Sequence, residues 1–148
     1  MLDQSSNLVV NDPAIVSFVH RIVFDEHGDF GPCATLGWVD DDGLLETGVV
    51  LHNYLPYYRT IEVTMASCKN KGFHVGRLNM IADYVFNQLN CYTLVIRHDP
   101  NHKIVNRICK LLGGTEYVLA NLRGPGLDDC MHILTADEAR QSKFWRQK

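Results

Sequence analysis

Between residues 75 and 89 the apolar side chains Val75, Leu78, Ile81, Ala82, Val85, Phe86 and Leu89 recur at spacings of three and four. That is the period of one face of an α-helix, and a helix with a single apolar stripe needs an apolar surface to lie on. The flanking segments supply it. TIEVTMAS at 60–67 mixes β-branched residues with alternation, and CYTLVIRH at 91–98 reads as a buried strand. A glycine-bearing loop joins the first of these strands to the helix. With no repeat, low-complexity tract or linker, the chain is expected to be one continuous α/β domain over residues 1–148.

The remaining elements follow from local signals. NLVV at 7–10 reads as a short strand, after which Asn11-Asp12-Pro13 supplies a cap and an N1 proline for a helix to about Val23. Its inward face is expected to be Ile15, Phe18, Val19 and Ile22. CATLGWV and ETGVVLHNY are strands around the turn Asp41-Asp42-Gly43. HKIVNRICKLLGG reads as a helix with Ile104, Ile108 and Leu111 or Leu112 inward, closed by glycine. YVLANLR and CMHILT form a closing hairpin around Gly124-Pro125-Gly126, and the tail from residue 137 adds a turn of helix or frays.

At 148 residues the chain can remove roughly two thirds of its surface from water without metal or disulfide staples. Five cysteines, never in a CxxC pair, are no disulfide framework, so buried or site thiols are expected. No apolar run is long enough to span a membrane, and the acid near the N-terminus does not suit a signal peptide, so a soluble cytoplasmic protein is expected. The net charge of −3 excludes a generally basic nucleic-acid coat, but it hides a split. Residues 1–62 carry ten acids and two bases, and residues 63–148 seven acids and twelve bases. An anion would prefer the second half.

The order β-α-β-β-β-α-β-α-β-β resembles that of the GCN5-related N-acetyltransferase (GNAT) superfamily. From Cys33 to Leu134 the chain is similar to the branch with many bacterial and phage members, on HNY at 52–54, DYVFNQLNC at 83–91, NHKIVNRICKLLGG at 101–114 and YVLANLR at 117–123. The resemblance implies a mixed central sheet of six to seven strands flanked by helices. It also implies acetyl-CoA as cosubstrate and an amine, on a small molecule or a protein, as acceptor.

It further implies where the cosubstrate sits. Residues 63–82 hold Lys69, Lys71 and Arg77 and no acid, with Gly72 and Gly76 admitting close approach, ahead of a helix N-terminus that suits a pyrophosphate. The loop departs from the family pattern in having lysine at its first position and histidine at its last. Backbone around Thr64 and Met65 would polarise the thioester carbonyl. Asn101 resembles a pantetheine contact and equally could cap its helix. Glu62 is the expected general base, with His52 sharing the role, and Cys109 stands where many members have the tyrosine that protonates the thiolate.

Other readings use the same residues. A GNAT fold without turnover, serving as a binding or structural module such as a phage component, fits the altered loop and Cys109. The loop from Tyr54 to Arg59 could meet an acceptor or a protein partner, and self-association is open. Nucleic acid is disfavoured because three clustered bases with no RNA or DNA motif bind phosphates weakly. No metal is expected: His98 and His102 flank Asp99, and His132 lies two residues beyond Cys130, but a proline separates the first pair and no CxxC or HxxxH helix supports zinc.

Overall fold

The computed structural model describes residues 7–26 and 28–142. Seven strands, β1 (Leu8–Val10), β2 (Cys33–Val39), β3 (Leu45–Leu55), β4 (Thr60–Ser67), β5 (Thr93–His98), β6 (Thr115–Gly124) and β7 (Leu127–Thr135), lie in one sheet in the order β1-β2-β3-β4-β5-β7-β6. The helices are α1 (Pro13–Phe24), α2 (Val75–Ala82), α3 (Lys103–Leu112) and α4 (Ala136–Gln141). This is the fold class expected of the GNAT superfamily, with seven strands. By its contacts the chain forms two compact units, Met1–Tyr54 with Val63–Leu78, and Leu55–Glu62 with Asn79–Lys148.

In the first unit, α1 begins where Asp12 accepts the Ala14 N–H at 2.9 Å and Pro13 occupies the first turn. It buries Ile15 and Val19 against Val50 and Ala66, with Phe18, Val23, Phe30 and Leu45 around them. Ile22 does not join this face. It is 43% exposed, and Val23 packs against the cluster instead. The helix lies close on the sheet: a side chain at Gly48 would put its Cβ 2.7 Å from Val19. The β2–β3 hairpin turns at Asp40, whose carboxylate accepts the N–H groups of Asp42 and Leu44 at 2.9 and 3.0 Å.

The second unit departs from expectation in two helices. The long helix is α-helical only to Ala82; residues Asp83–Gln88 widen into a π-turn that closes with Leu89 N–H on the Tyr84 carbonyl at 2.8 Å. Val85 and Phe86 remain buried, so the apolar spacing survives the change of pitch. In α3 Ile108 is buried, whereas Ile104 is 48% and Leu111 49% exposed, so of the two leucines Leu112 turns inward. The cap of α3 is His102, whose ring accepts the Val105 N–H, and not Asn101. β5 and β6 both pair antiparallel with β7. The tail forms α4 behind a capping box of Thr135 and Glu138, and the rest of the expected frayed end lies outside the described residues.

Candidate functional site

The loop between β4 and α2 is held from below. At the end of β4 the Ser67 hydroxyl lies 2.8 Å from Thr47 Oγ1 and accepts the Lys69 N–H at 3.1 Å, while the Cys68 N–H reaches the Glu46 carbonyl at 2.9 Å. Gly72 closes a turn onto the Lys69 carbonyl and sits directly on this pair: a Cβ there would fall 1.9 Å from Ser67 Oγ and 2.6 Å from Thr47 Oγ1. Only glycine fits, and the reason is close packing of the loop on β3 and β4.

Arg77 completes the support. It is 7% exposed; its guanidinium is 2.7 Å from the Glu46 carboxylate and donates to the Gly72 carbonyl at 2.9 Å and to Thr47 Oγ1 at 3.2 Å. It also lies over the Trp38 ring, 5.0 Å from the centroid. An arginine so engaged, expected among the phosphate contacts, is turned inward to brace the loop. Lys69 and Lys71 are exposed, and Gly76 is in the first turn of α2. Burial, then the Arg77 charge, lowers the His74 pKa despite Glu46, so the loop's last residue is neutral at physiological pH. The outward positive charge of the loop therefore comes from two lysines ahead of the dipole of α2.

On β3, His52 is buried, with Nε2 2.8 Å from Thr64 Oγ1 on β4 and its ring 4.9 Å from that of Phe30. Phe30 belongs to an aromatic cluster with His20 and Phe24. Thr64 and Met65 are half-buried. Burial along β4 alternates at Ile61 and Val63 and then skips to Ala66, so the strand changes face between them. The fold thus brings His52 and Thr64 together, a pairing for which the sequence holds no signal.

In the second unit, Glu62 is half-buried on β4. Tyr57 is 99% and Tyr58 75% exposed, but Arg59 of the same loop is occupied, donating to the Asn90 carbonyl at 3.0 Å and lying over Tyr92. Asn101 is exposed, and its N–H is held by Asp99 Oδ1 at 2.8 Å. Cys109 is buried, and burial, then Glu116, pushes its thiol up to about 12. Against an ordinary thiol near 8.5, donation of that proton to a leaving thiolate runs uphill by about 5 kcal/mol. Burial thus makes Cys109 a weaker acid than an ordinary thiol.

No protein-family model matches the chain, and comparison with curated proteins finds no match. Solved structures do match. Mutant forms of the spermidine/spermine N-acetyltransferase from Vibrio cholerae superpose with TM-score 0.72 at 14% identity, covering 90% of this chain and 96% of theirs. A dodecameric spermidine N-acetyltransferase from the same organism gives 0.69 at 16%, covering 90% and 96%. The ribosomal-protein-S5-alanine acetyltransferase from Vibrio fischeri gives 0.61 at 16%, covering 71% and 62%. These likenesses establish the GNAT fold. Among the described residues no helix is long and apolar enough to cross a membrane.

Proposed function

We propose that this protein is an acetyl-CoA-dependent N-acetyltransferase acting on an amine by direct transfer in a ternary complex. The observation that carries the reading is the β4–loop–α2 segment, where two outward lysines precede a helix N-terminus on a loop braced by Gly72 and the buried Arg77. The fold it shares with acetyltransferases over nine-tenths of the chain supports the same reading over that of a non-catalytic module. Lys69 and Lys71, with the first-turn N–H groups at Gly76, suit a pyrophosphate. Thr64 and Met65 would face the thioester, and Asn101 the pantetheine arm.

In the transfer, the amine lone pair attacks the thioester carbonyl, the C–S bond breaks, and the amine proton passes to a base. Glu62 or His52 takes that proton, directly or through water, and the leaving thiolate is protonated from solvent, not by Cys109. The acids of the N-terminal half, Asp25, Glu26 and Asp29 among them, suit a cationic acceptor such as a polyamine or a peptide N-terminus. Self-association belongs to the proposal, supported by the dodecameric neighbour. Calorimetry with acetyl-CoA, followed by mass detection of acetylated spermidine and alanine-started peptides, tests it. Turnover abolished in Glu62→Gln with binding kept is the expected result; no acetyl-CoA binding at millimolar concentration refutes the reading.

A further inference from the structure

Strand pairing in the second unit assembles a donor set that linear spacing does not show. His98 ends β5, and its Cα partner across the ladder is Cys130 on β7; Glu116 on β6 pairs with His132, two residues further along β7. Side chains at positions two apart on a strand share a face, so His98, Cys130 and Glu116 project from the same side of the sheet. A ring nitrogen of His98, Cys130 Sγ and a Glu116 carboxylate oxygen all lie within 4.8 Å of one another.

We propose that His98, Glu116 and Cys130 form a binding site for a borderline-soft divalent cation of the zinc class. Three observations support the assignment. The His98 Nδ1 faces the Asp99 carbonyl at 3.1 Å, which fixes the proton there and leaves Nε2 as the lone-pair nitrogen. That Nε2 is buried without a hydrogen-bond partner among the described residues, a cost that a metal bond would remove. And the imidazole, thiolate and carboxylate set is the mixture zinc accepts, with bonds of about 2.0–2.3 Å that gather donors to about 3.5 Å apart. Cys130 Sγ already donates to Glu116 Oε1 at 2.9 Å, so closing the set takes side-chain movement of about 1 Å and no backbone change. His98 and Cys130 are buried, and the exposed Glu116 is the side from which an ion enters. Binding replaces the S–H···O hydrogen bond: the thiol proton leaves to solvent, and sulfur and oxygen both bond the cation. The consequence is a clamp holding β6 to β5 and β7.

Cobalt(II) titration of the full chain under a non-thiol reductant tests this. The expected result is one cobalt per chain with a thiolate-to-cobalt charge-transfer band, displaced by zinc, and a melting temperature raised by zinc and restored by chelator. Cys130→Ser should abolish the band, and Glu116→Gln, an exposed substitution that leaves the core intact, should weaken binding about tenfold or more. Absence of a band at one equivalent, full binding by Glu116→Gln, or a band that disappears with Cys33→Ser or Cys68→Ser would each overturn the assignment. None of these readouts depends on acetyl transfer.

Discussion

Replacing Arg77 by methionine keeps the length of the stem and removes the guanidinium. In the folded protein that deletes the 2.7 Å ion pair to Glu46, the hydrogen bonds to Gly72 and Thr47 and the contact over Trp38. Breaking one side of a buried pair costs about 3–5 kcal/mol, because the other charge stays buried and alone. The Glu46 side chain retains 16% exposure, so water relieves part of that, and we take the lower end, about 3 kcal/mol. For a chain of this size the loss should lower Tm by roughly 6–12 °C. Replacing both partners, Arg77→Met with Glu46→Met, should recover most of it, since an apolar pair of similar volume is often neutral. Calorimetric melting of the two singles and the double reads this directly. Acetyl-CoA binding, measured well below each midpoint, separates bracing from contact. Lys69→Ala with Lys71→Ala should weaken it about tenfold with Tm little changed, and Arg77→Met should alter it far less. An Arg77→Met protein that melts like the wild type yet loses binding tenfold would refute the bracing role.

Gly72→Ala drives its Cβ into the Ser67–Thr47 pair, and the overpacking should cost about 1–3 kcal/mol in urea unfolding while weakening acetyl-CoA binding. Asp129, fully buried, is 2.7 Å from Arg97 and 2.9 Å from Arg123; burial raises its pKa, but the hydrogen bonds and charges of the two arginines outweigh this and hold it below the usual carboxylate range. With the folded value depressed, its contribution is present above the unfolded pKa and lost as pH falls through the folded one. Asp129→Asn should therefore lower stability at neutral pH by about 2 kcal/mol and flatten its decline below about pH 4. Among the thiols, Cys68 and Cys33 are exposed and Cys91, Cys109 and Cys130 buried. Ellman titration of the metal-free protein should find Cys68 reacting fastest, and Cys33 more slowly because burial and Asp29 raise its pKa. The other three should appear only in denaturant; a third thiol reacting natively would contradict the packing.

Element order was legible because it rests on periodicities that the fold largely keeps: the stripe buried from Leu78 to Phe86, though Val75 at its start is 46% exposed, the alternation at 60–67, and the Asp-Pro start of α1. What escaped was pitch and depth. The π-turn after Ala82 preserves every buried position of the stripe, so the sequence holds no mark of it. Ile104 and Leu111 show the reverse case, apolar residues at correct spacing that face water. The site divides the same way. Lys69, Lys71 and Arg77 look alike as one acid-free basic run, yet the first two face solvent and the third is buried. A signal was present: Arg77 stands four residues before Ile81 and one before Leu78, and so on the inward half of the helix that the stripe defines. A buried cation there demands an acid, and Glu46 on β3 meets it across 31 positions of sequence. Such a partner is set by strand register and not by spacing, as are the pairing of His52 with Thr64 and of His98 with Cys130. The residues whose chemistry depends on the fold are thus the ones a linear reading assigns to solvent, to ligand or to no role at all. In this chain burial is the quantity that separates the two lysines turned to solvent from the arginine that shapes the loop beneath them.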